Sequence, residues 1–182
     1  IEDVVIDGEQ LTFTEDELMV KADAYEGYCA PRDGLICRIY NPNRGTYLDE
    51  DYNALGPRHG GLNTAKYTQL WLLHYDEAEA MYTIENLYTG DYLRNQPSFN
   101  VQYLMTDDMA TAGTFTLACN PTIVGQRIYN IIDSRSGRYV HAQSTGLCVT
   151  WTAGSNSISA SEWRFKPVEV TEEDIEAMHA KY

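Results

Sequence analysis

An all-β fold made of three copies of one four-stranded unit is predicted by two regularities of the chain. The first is a phrase written three times around a glycine. It reads Ile39-Tyr-Asn41-Pro-Asn-Arg-Gly45-Thr-Tyr47-Leu48, Ile84-Glu-Asn86-Leu-Tyr-Thr-Gly90-Asp-Tyr92-Leu93 and Ile131-Ile-Asp133-Ser-Arg-Ser-Gly137-Arg-Tyr139-Val140, with the glycines 45 and 47 residues apart. The second is an aromatic residue at a near-constant distance after each glycine: Trp71 at 26 positions, Phe115 at 25 and Trp163 at 26. Each is followed two positions later by a large apolar residue, Leu73, Leu117 and Phe165.

The phrase has the chemistry of a β-hairpin. Asn or Asp opens a turn by bonding its side chain to the backbone two residues on, and Gly supplies the positive φ that closes it. The Ile before the turn and the Tyr-Leu or Tyr-Val pair after it suit the flanking strands. Each aromatic-x-apolar triplet puts two large side chains on one face of a strand. Further strands are expected at Asn100–Met105 and Leu147–Trp151, giving about four per unit. No single unit can bury its own apolar face, whereas three around a pseudo-threefold axis close one core and leave few edges. A propeller of three blades would fall below the usual number. The expectation is therefore a β-trefoil, a six-stranded barrel capped by three hairpins, over residues 36–168, with units at about 36–80, 81–125 and 126–168.

The ends read differently. Thr14-Glu-Asp-Glu17 is a capping box followed by Leu18, Ala22 and Tyr25 at helical spacing, with Gly27 as a stop. Thr171-Glu-Glu-Asp174 caps a second helix carrying Ile175, Met178 and Tyr182. Short helical extensions are thus expected in 1–35 and 169–182. The second, which has no stop signal, is expected to lead toward a neighbouring domain of a longer chain.

Charge narrows the function classes. A formal net charge of −14 repels phosphate backbones and anionic lipid, so nucleic acid is not an expected partner and membrane insertion is not expected. The apolar runs are too short for a membrane-spanning helix. The four cysteines, Cys29, Cys37, Cys119 and Cys148, form no C-x-x-C pair and have no His at ligand spacing, so neither a metal site nor a cofactor is expected. They allow three disulfide pairings, and free buried thiols are as compatible with the sequence as bridges. There is no G-x-S-x-G, H-E-x-x-H, P-loop or G-x-G-x-x-G motif, which argues against an enzyme.

Gly45-Thr-Tyr-Leu-Asp49 and Thr68-Gln69-Leu-Trp71 resemble the G-K-Y-L-D and Q-x-W signatures of ricin-B-type lectin repeats. The resemblance spans all three units, but unit two has Gly113-Thr-Phe115 and unit three Ser161-Glu-Trp163 in place of Q-x-W. It implies a sugar site within a unit, built from a carboxylate that accepts two hydrogen bonds from adjacent hydroxyls, an aromatic platform for the pyranose C–H face and an orienting amide. By position Asp49 is the carboxylate of unit one, with Asn63 and Tyr67 the nearest amide and aromatic residues and Gln69 a structural residue. Arg94 and His141 replace the Asp in units two and three. Trp151, near the end of a strand in unit three, is either packed or a stacking platform.

The function expected on this basis is a non-catalytic carbohydrate-binding module that binds a glycan or glycoprotein weakly through its first repeat, in a larger extracellular or cell-surface protein. Two alternatives compete. One is a protein-interaction or spacer trefoil that has lost its sugar site, favoured by the missing Q-x-W and Asp in two units. The other is a protease-inhibitor-type trefoil working through the Gly56–Tyr67 loop.

Overall fold

The computed structural model describes residues 2–6, 9–13, 27–51, 56–65, 67–119, 127–152 and 158–180, the first two stretches by their backbone alone. Strands β1 (Glu2–Ile6) and β2 (Glu9–Phe13) form a separate antiparallel hairpin with Ile6 opposite Glu9. The helix expected over Thr14–Tyr25 lies outside the described residues. The other strands belong to one sheet. They are β3 (Ile36–Asn41), β4 (Thr46–Asp49), β5 (Arg58–Gly60) and β6 (Trp71–Asp76); then β7 (Met81–Asn86), β8 (Tyr92–Leu93), β9 (Met105–Thr106) and β10 (Phe115–Cys119); then β11 (Tyr129–Asp133), β12 (Tyr139–Ala142), β13 (Cys148–Trp151) and β14 (Glu162–Pro167).

The pairing closes a barrel. β3 pairs β6, β6 pairs β7, β7 pairs β10, β10 pairs β11, β11 pairs β14, and β14 returns to β3. The hairpins β4–β5, β8–β9 and β12–β13 cap it. This is the β-trefoil expected from the sequence. Three residues of the expected Gly56–Tyr67 loop, Arg58–Gly60, are strand β5, paired to β4.

Each turn is made as its residues require. Gly45, Gly90 and Gly137 sit at φ +66°, +77° and +67°, the left-handed region that suits glycine. The amide of each glycine donates to the carbonyl of the Asn or Asp four residues earlier, at 2.8–2.9 Å. The same Asn or Asp side chain also accepts from the turn: Asn41 from the Arg44 amide, Asn86 from those of Tyr88 and Thr89, Asp133 from those of Arg135 and Ser136.

The recurring aromatics are core. Trp71, Phe115 and Trp163 are fully buried with Ile39, Ile84, Ile131, Leu73 and Phe165. Each indole also donates to a carbonyl of its own cap hairpin, Trp71 to Leu48 (3.0 Å) and Trp163 to Val140 (2.9 Å). Phe115 has no such donor. The equivalent carbonyl, Leu93, is taken instead by the Gly113 amide at 2.8 Å. That approach needs glycine, since a Cβ at 113 would lie 2.6–2.7 Å from backbone atoms of Leu93, Arg94 and Asn95.

All four cysteines are free, Cys29, Cys37 and Cys148 being buried and Cys119 exposed. Cys29 pairs with Phe165 on one side of β14, and Cys37 pairs with Pro167 on the other. Two inter-strand spacings, about 9–10 Å, separate their backbones, beyond the ~7 Å a disulfide spans. Burial pushes the thiols of Cys37 and Cys148 well above their ordinary value.

At the other end, helix α1 (Glu172–His179) begins with the expected capping box. Thr171 Oγ accepts from the Asp174 amide, and the Asp174 carboxylate accepts from the Thr171 amide. The bonds that this carboxylate accepts from the Thr171 amide and hydroxyl hold the Asp174 carboxyl below its usual range. Met178 is 1% exposed, so α1 packs one side against the chain. Among the described residues no helix is long and apolar enough to cross a membrane.

Gly113→Ala should destabilise the fold by roughly 2 kcal/mol or more, the cost of forcing a methyl into packed backbone. Gly60→Ala, where a Cβ would meet nothing within 4 Å, should change stability by less than about 1 kcal/mol. Urea unfolding of both variants checks the difference.

Candidate functional site

Two positions in each unit set the chemistry of its cap: the one four after the turn glycine and the one two before the core aromatic. In unit one these are Asp49, at the end of β4, and Gln69, in a short 3-10 turn before β6. Gln69 Nε2 donates to Asp49 Oδ2 (3.1 Å) and to the Gly61 carbonyl (2.8 Å), and its Oε1 accepts from the Asn63 amide (3.0 Å). Gln69 thus has the structural role expected of it. Asp49 does not present its carboxylate to solvent, being 7% exposed and drawn inward by that bond. Asn63 is exposed, but its Oδ1 accepts from the Ala65 amide in a local turn (3.1 Å). The Tyr67 ring leans on Tyr88 of unit two, with centroids 5.8 Å apart.

The next residue makes this groove acidic. Glu50 is buried, accepts from Thr89 Oγ1 at 2.6 Å, and lies beside Asp91 and Asp49. Burial, then a hydrogen bond with Asp91, pushes its carboxyl up to about 8. So Asp49 and Asn63 meet through Gln69, Tyr67 turns toward unit two, and Trp151 stands apart in unit three.

Unit two has no such pair of side chains. Gly113 packs directly on the backbone of Arg94. Tyr103 of this unit is fully buried and donates its hydroxyl to Asp133 Oδ2 at 2.9 Å.

Unit three is open. His141 takes the Asp position and Ser161 the Gln position, joined by a 2.8 Å bond between His141 Nδ1 and Ser161 Oγ. Ser161 is fully buried and His141 is 4% exposed, so the pair is structural; a serine that substrate cannot reach is no nucleophile. The imidazole lies flat on Trp151, centroids 4.4 Å apart at 12°, and Phe99 meets the same indole at 5.0 Å. Burial, with Arg44 and His59 nearby, lowers His141 to about 4, which leaves it neutral at physiological pH.

Beside this stack is a cleft of about 410 Å³ whose lining includes Asn43, Arg44, His141, Gln143, Trp151 and Ser159. Asn43 and Arg44 belong to the turn of unit one. They are held across the unit boundary by Arg44 Nε donating to the Ala142 carbonyl (3.0 Å) and Asn43 Nδ2 to Ser159 Oγ (3.1 Å). His59 reinforces the junction. Its Nε2 faces the Gln143 carbonyl, which can only accept, so Nε2 carries the proton and Nδ1 accepts from Thr46 Oγ1. Gln143 Nε2 in turn donates to Asn100 Oδ1. The cleft therefore offers an aromatic wall, amides, hydroxyls and a guanidinium.

The sequence reading named Trp151 but missed Arg44, because turn tip and cleft belong to different repeats. One signal was available. Residues 140–161 contain no Asp or Glu in a chain that has 27. A larger cleft, about 550 Å³, lies between Arg32–Ile36 and Pro167–Val170 and has no aromatic residue in its lining. Among the described residues no group of three His, Cys, Asp or Glu is placed to hold a metal ion.

The two shifted groups act in opposite senses on stability. His141 has a folded value near 4 against an ordinary 6.5, so the unfolded chain binds the extra proton. Its contribution, up to about 3 kcal/mol, is lost as pH falls from 6.5 toward 4. Glu50, near 8 against 4.5, binds its proton in the folded state, and its contribution is lost as pH rises through 8. In urea unfolding, His141→Gln should lose less stability than wild type between pH 6.5 and 4.5. Glu50→Gln should exceed wild type at pH 9. Profiles parallel to wild type in both variants would mean that neither group is desolvated.

No protein-family profile and no curated protein matches the sequence. Solved structures match the fold. A Macrolepiota procera ricin B-like lectin in complex with lactose superposes with TM-score 0.64 at 12% identity, over 76% of this chain and 99% of that one. SeviL bound to asialo-GM1 saccharide gives 0.61 at 15%, over 75% and 99%. The designed threefold-symmetric protein ThreeFoil gives 0.60 at 13%, over 73% and 99%. At such identities the likeness is one of fold: this chain has the β-trefoil architecture of the ricin B-like lectins.

Proposed function

We propose that this chain is a non-catalytic carbohydrate-binding module whose sugar site is the Trp151 cleft of the third repeat. The observation that carries the proposal is the contrast among the three caps. Among the described residues, the third sets an aromatic wall beside an open cleft with hydrogen-bonding groups around it. Sugars are recognised by that combination, an apolar face for the ring C–H groups and convergent polar groups for the hydroxyls. At about 410 Å³ the cleft lies toward the small end of the ~300–1,000 Å³ typical of ligand pockets, which suits weak binding of one terminal residue of a glycan.

Support also comes from two of the structural neighbours, whose names record lactose and the asialo-GM1 saccharide as their ligands. Asp49, Asn63 and Tyr67, expected to form the site in the first repeat, instead support that cap. Glycans of this kind are displayed outside cells, so the module is assigned to an extracellular or cell-surface protein, beside other domains.

Trp151→Ala should abolish binding on a glycan array while retaining the near-UV circular dichroism of the fold. Asp49→Asn, which preserves an acceptor for Gln69, should bind as wild type does. The reverse pattern would return the site to the first repeat. Absence of signal on every glycan from a folded domain would favour the protein-interaction reading.

A further inference from the structure

We propose that the cleft is selective for acidic sugars, those carrying a carboxylate or sulfate, with Arg44 as the residue that selects them. The inference rests on the sugar-binding reading of the cleft and concerns its charge. In a chain with 27 acidic and 13 basic residues, the run 140–161 that supplies most of the lining contains no Asp or Glu. The residues lining the cleft include no Asp or Glu.

Arg44 is exposed and lines the cleft. Its Nε is fixed by the Ala142 carbonyl, which orients the guanidinium plane, and its two terminal nitrogens have no bonded partner among the described residues. A guanidinium held at one nitrogen still presents a fork that matches a carboxylate or sulfate in two parallel hydrogen bonds. A second cation stands at the far end of the aromatic row. The Arg138 guanidinium lies 5.3 Å from the centre of the Phe99 ring, and Phe99 abuts Trp151.

The bulk of the negative charge does not cancel this. Beyond about 8 Å at physiological ionic strength the distant carboxylates are largely screened, and at contact range the guanidinium dominates. The corresponding groove of unit one has the opposite character. The residue at the place of Arg44 is Thr89, which donates to Glu50 beside Asp49 and Asp91. Of these two grooves the third is the one suited to an anion.

The test is titration of the full chain, followed by saturation-transfer NMR, with matched pairs: galactose and galactose 6-sulfate, glucose and glucuronic acid, lactose and sialyllactose. Wild type should favour the acidic member of at least one pair by about tenfold or more, as a charge-assisted bidentate contact requires. Arg44→Gln should bind both members of that pair about equally. Arg44→Lys, which keeps charge but not the fork, should fall between, with unfolding midpoints confirming that both variants are folded. Equal binding of neutral and acidic sugars by wild type, lost in Trp151→Ala, would overturn the selectivity and leave the sugar site standing. Displacement of the acidic sugar by equimolar inorganic sulfate, unchanged in Trp151→Ala, would reduce the cleft to an anion site and overturn it as well. Failure of every sugar to bind would remove both readings.

Discussion

The side chain four positions before each turn glycine joins one repeat to the next. Asn41, Asn86 and Asp133 are all fully buried. Each accepts from its own turn, and the two asparagines also donate backward to a neighbouring repeat, Asn41 to the Ala160 carbonyl and Asn86 to that of Thr68, both at 2.8 Å. Those carbonyls lie three residues before Trp163 and Trp71. A single amide therefore fixes the turn, the seam between repeats and the approach of the core aromatic. Leaving one such buried group unpaired costs about 1–3 kcal/mol, which explains why cap and barrel form as one unit.

The third joint shows how much change that arrangement tolerates. Asp133 cannot donate, so Asn95 stands in. Its Nδ2 bonds the Thr114 carbonyl and Asp133 Oδ1, while its Oδ1 accepts from the Thr114 amide. The second carboxylate oxygen is filled by the Gln96 amide and the Tyr103 hydroxyl. Burial, reinforced by Asp133, holds that phenol far above its ordinary value, so it serves as a donor throughout. The same pairwise logic governs the caps. Gln69 goes with Asp49, Ser161 with His141, and Gly113 with the bare backbone of Arg94. What reads as decay of a motif in single residues is a set of matched exchanges in pairs.

This is also why the sequence was informative in some places and silent in others. Turn glycines, their Asn or Asp partners and the core aromatics act within a few residues, so their spacing disclosed the barrel, its hairpins and the capping box of α1. The amino-terminal hairpin was overlooked although Asp7-Gly8, a strong hairpin dipeptide, separates its strands. The cap pairs bridge 19 or 20 positions and the Arg44–Ala142 contact spans 98, so nothing local marks them. The same holds for Asp49: the residue type fits a sugar ligand, and the bond from Gln69 that turns its carboxylate inward is visible only in the fold.

A threefold fold supplies three equivalent grooves, each walled by the cap hairpin of one repeat and the turn tip of the next. The tip residue just before the turn glycine is Arg44, Thr89 or Ser136. The hydroxyls of Thr89 and Ser136 accept from the amide after the glycine, Asp91 at 3.1 Å and Arg138 at 3.2 Å, whereas Arg44 reaches out of its turn to the Ala142 carbonyl. The same barrel thus takes a hydroxyl or a guanidinium at that position. The hairpin residue opposite it, Asp49, Arg94 or His141, can vary only with its partner across the cap. Charge at a groove is therefore set by one tip residue and one cap pair, drawn from different repeats. In the first groove they leave carboxylates turned inward around Glu50, and in the third a guanidinium beside a neutral imidazole stacked on indole. The unequal grooves follow from the architecture, since the joints that hold the trefoil together accept either a hydroxyl or a guanidinium at those tips.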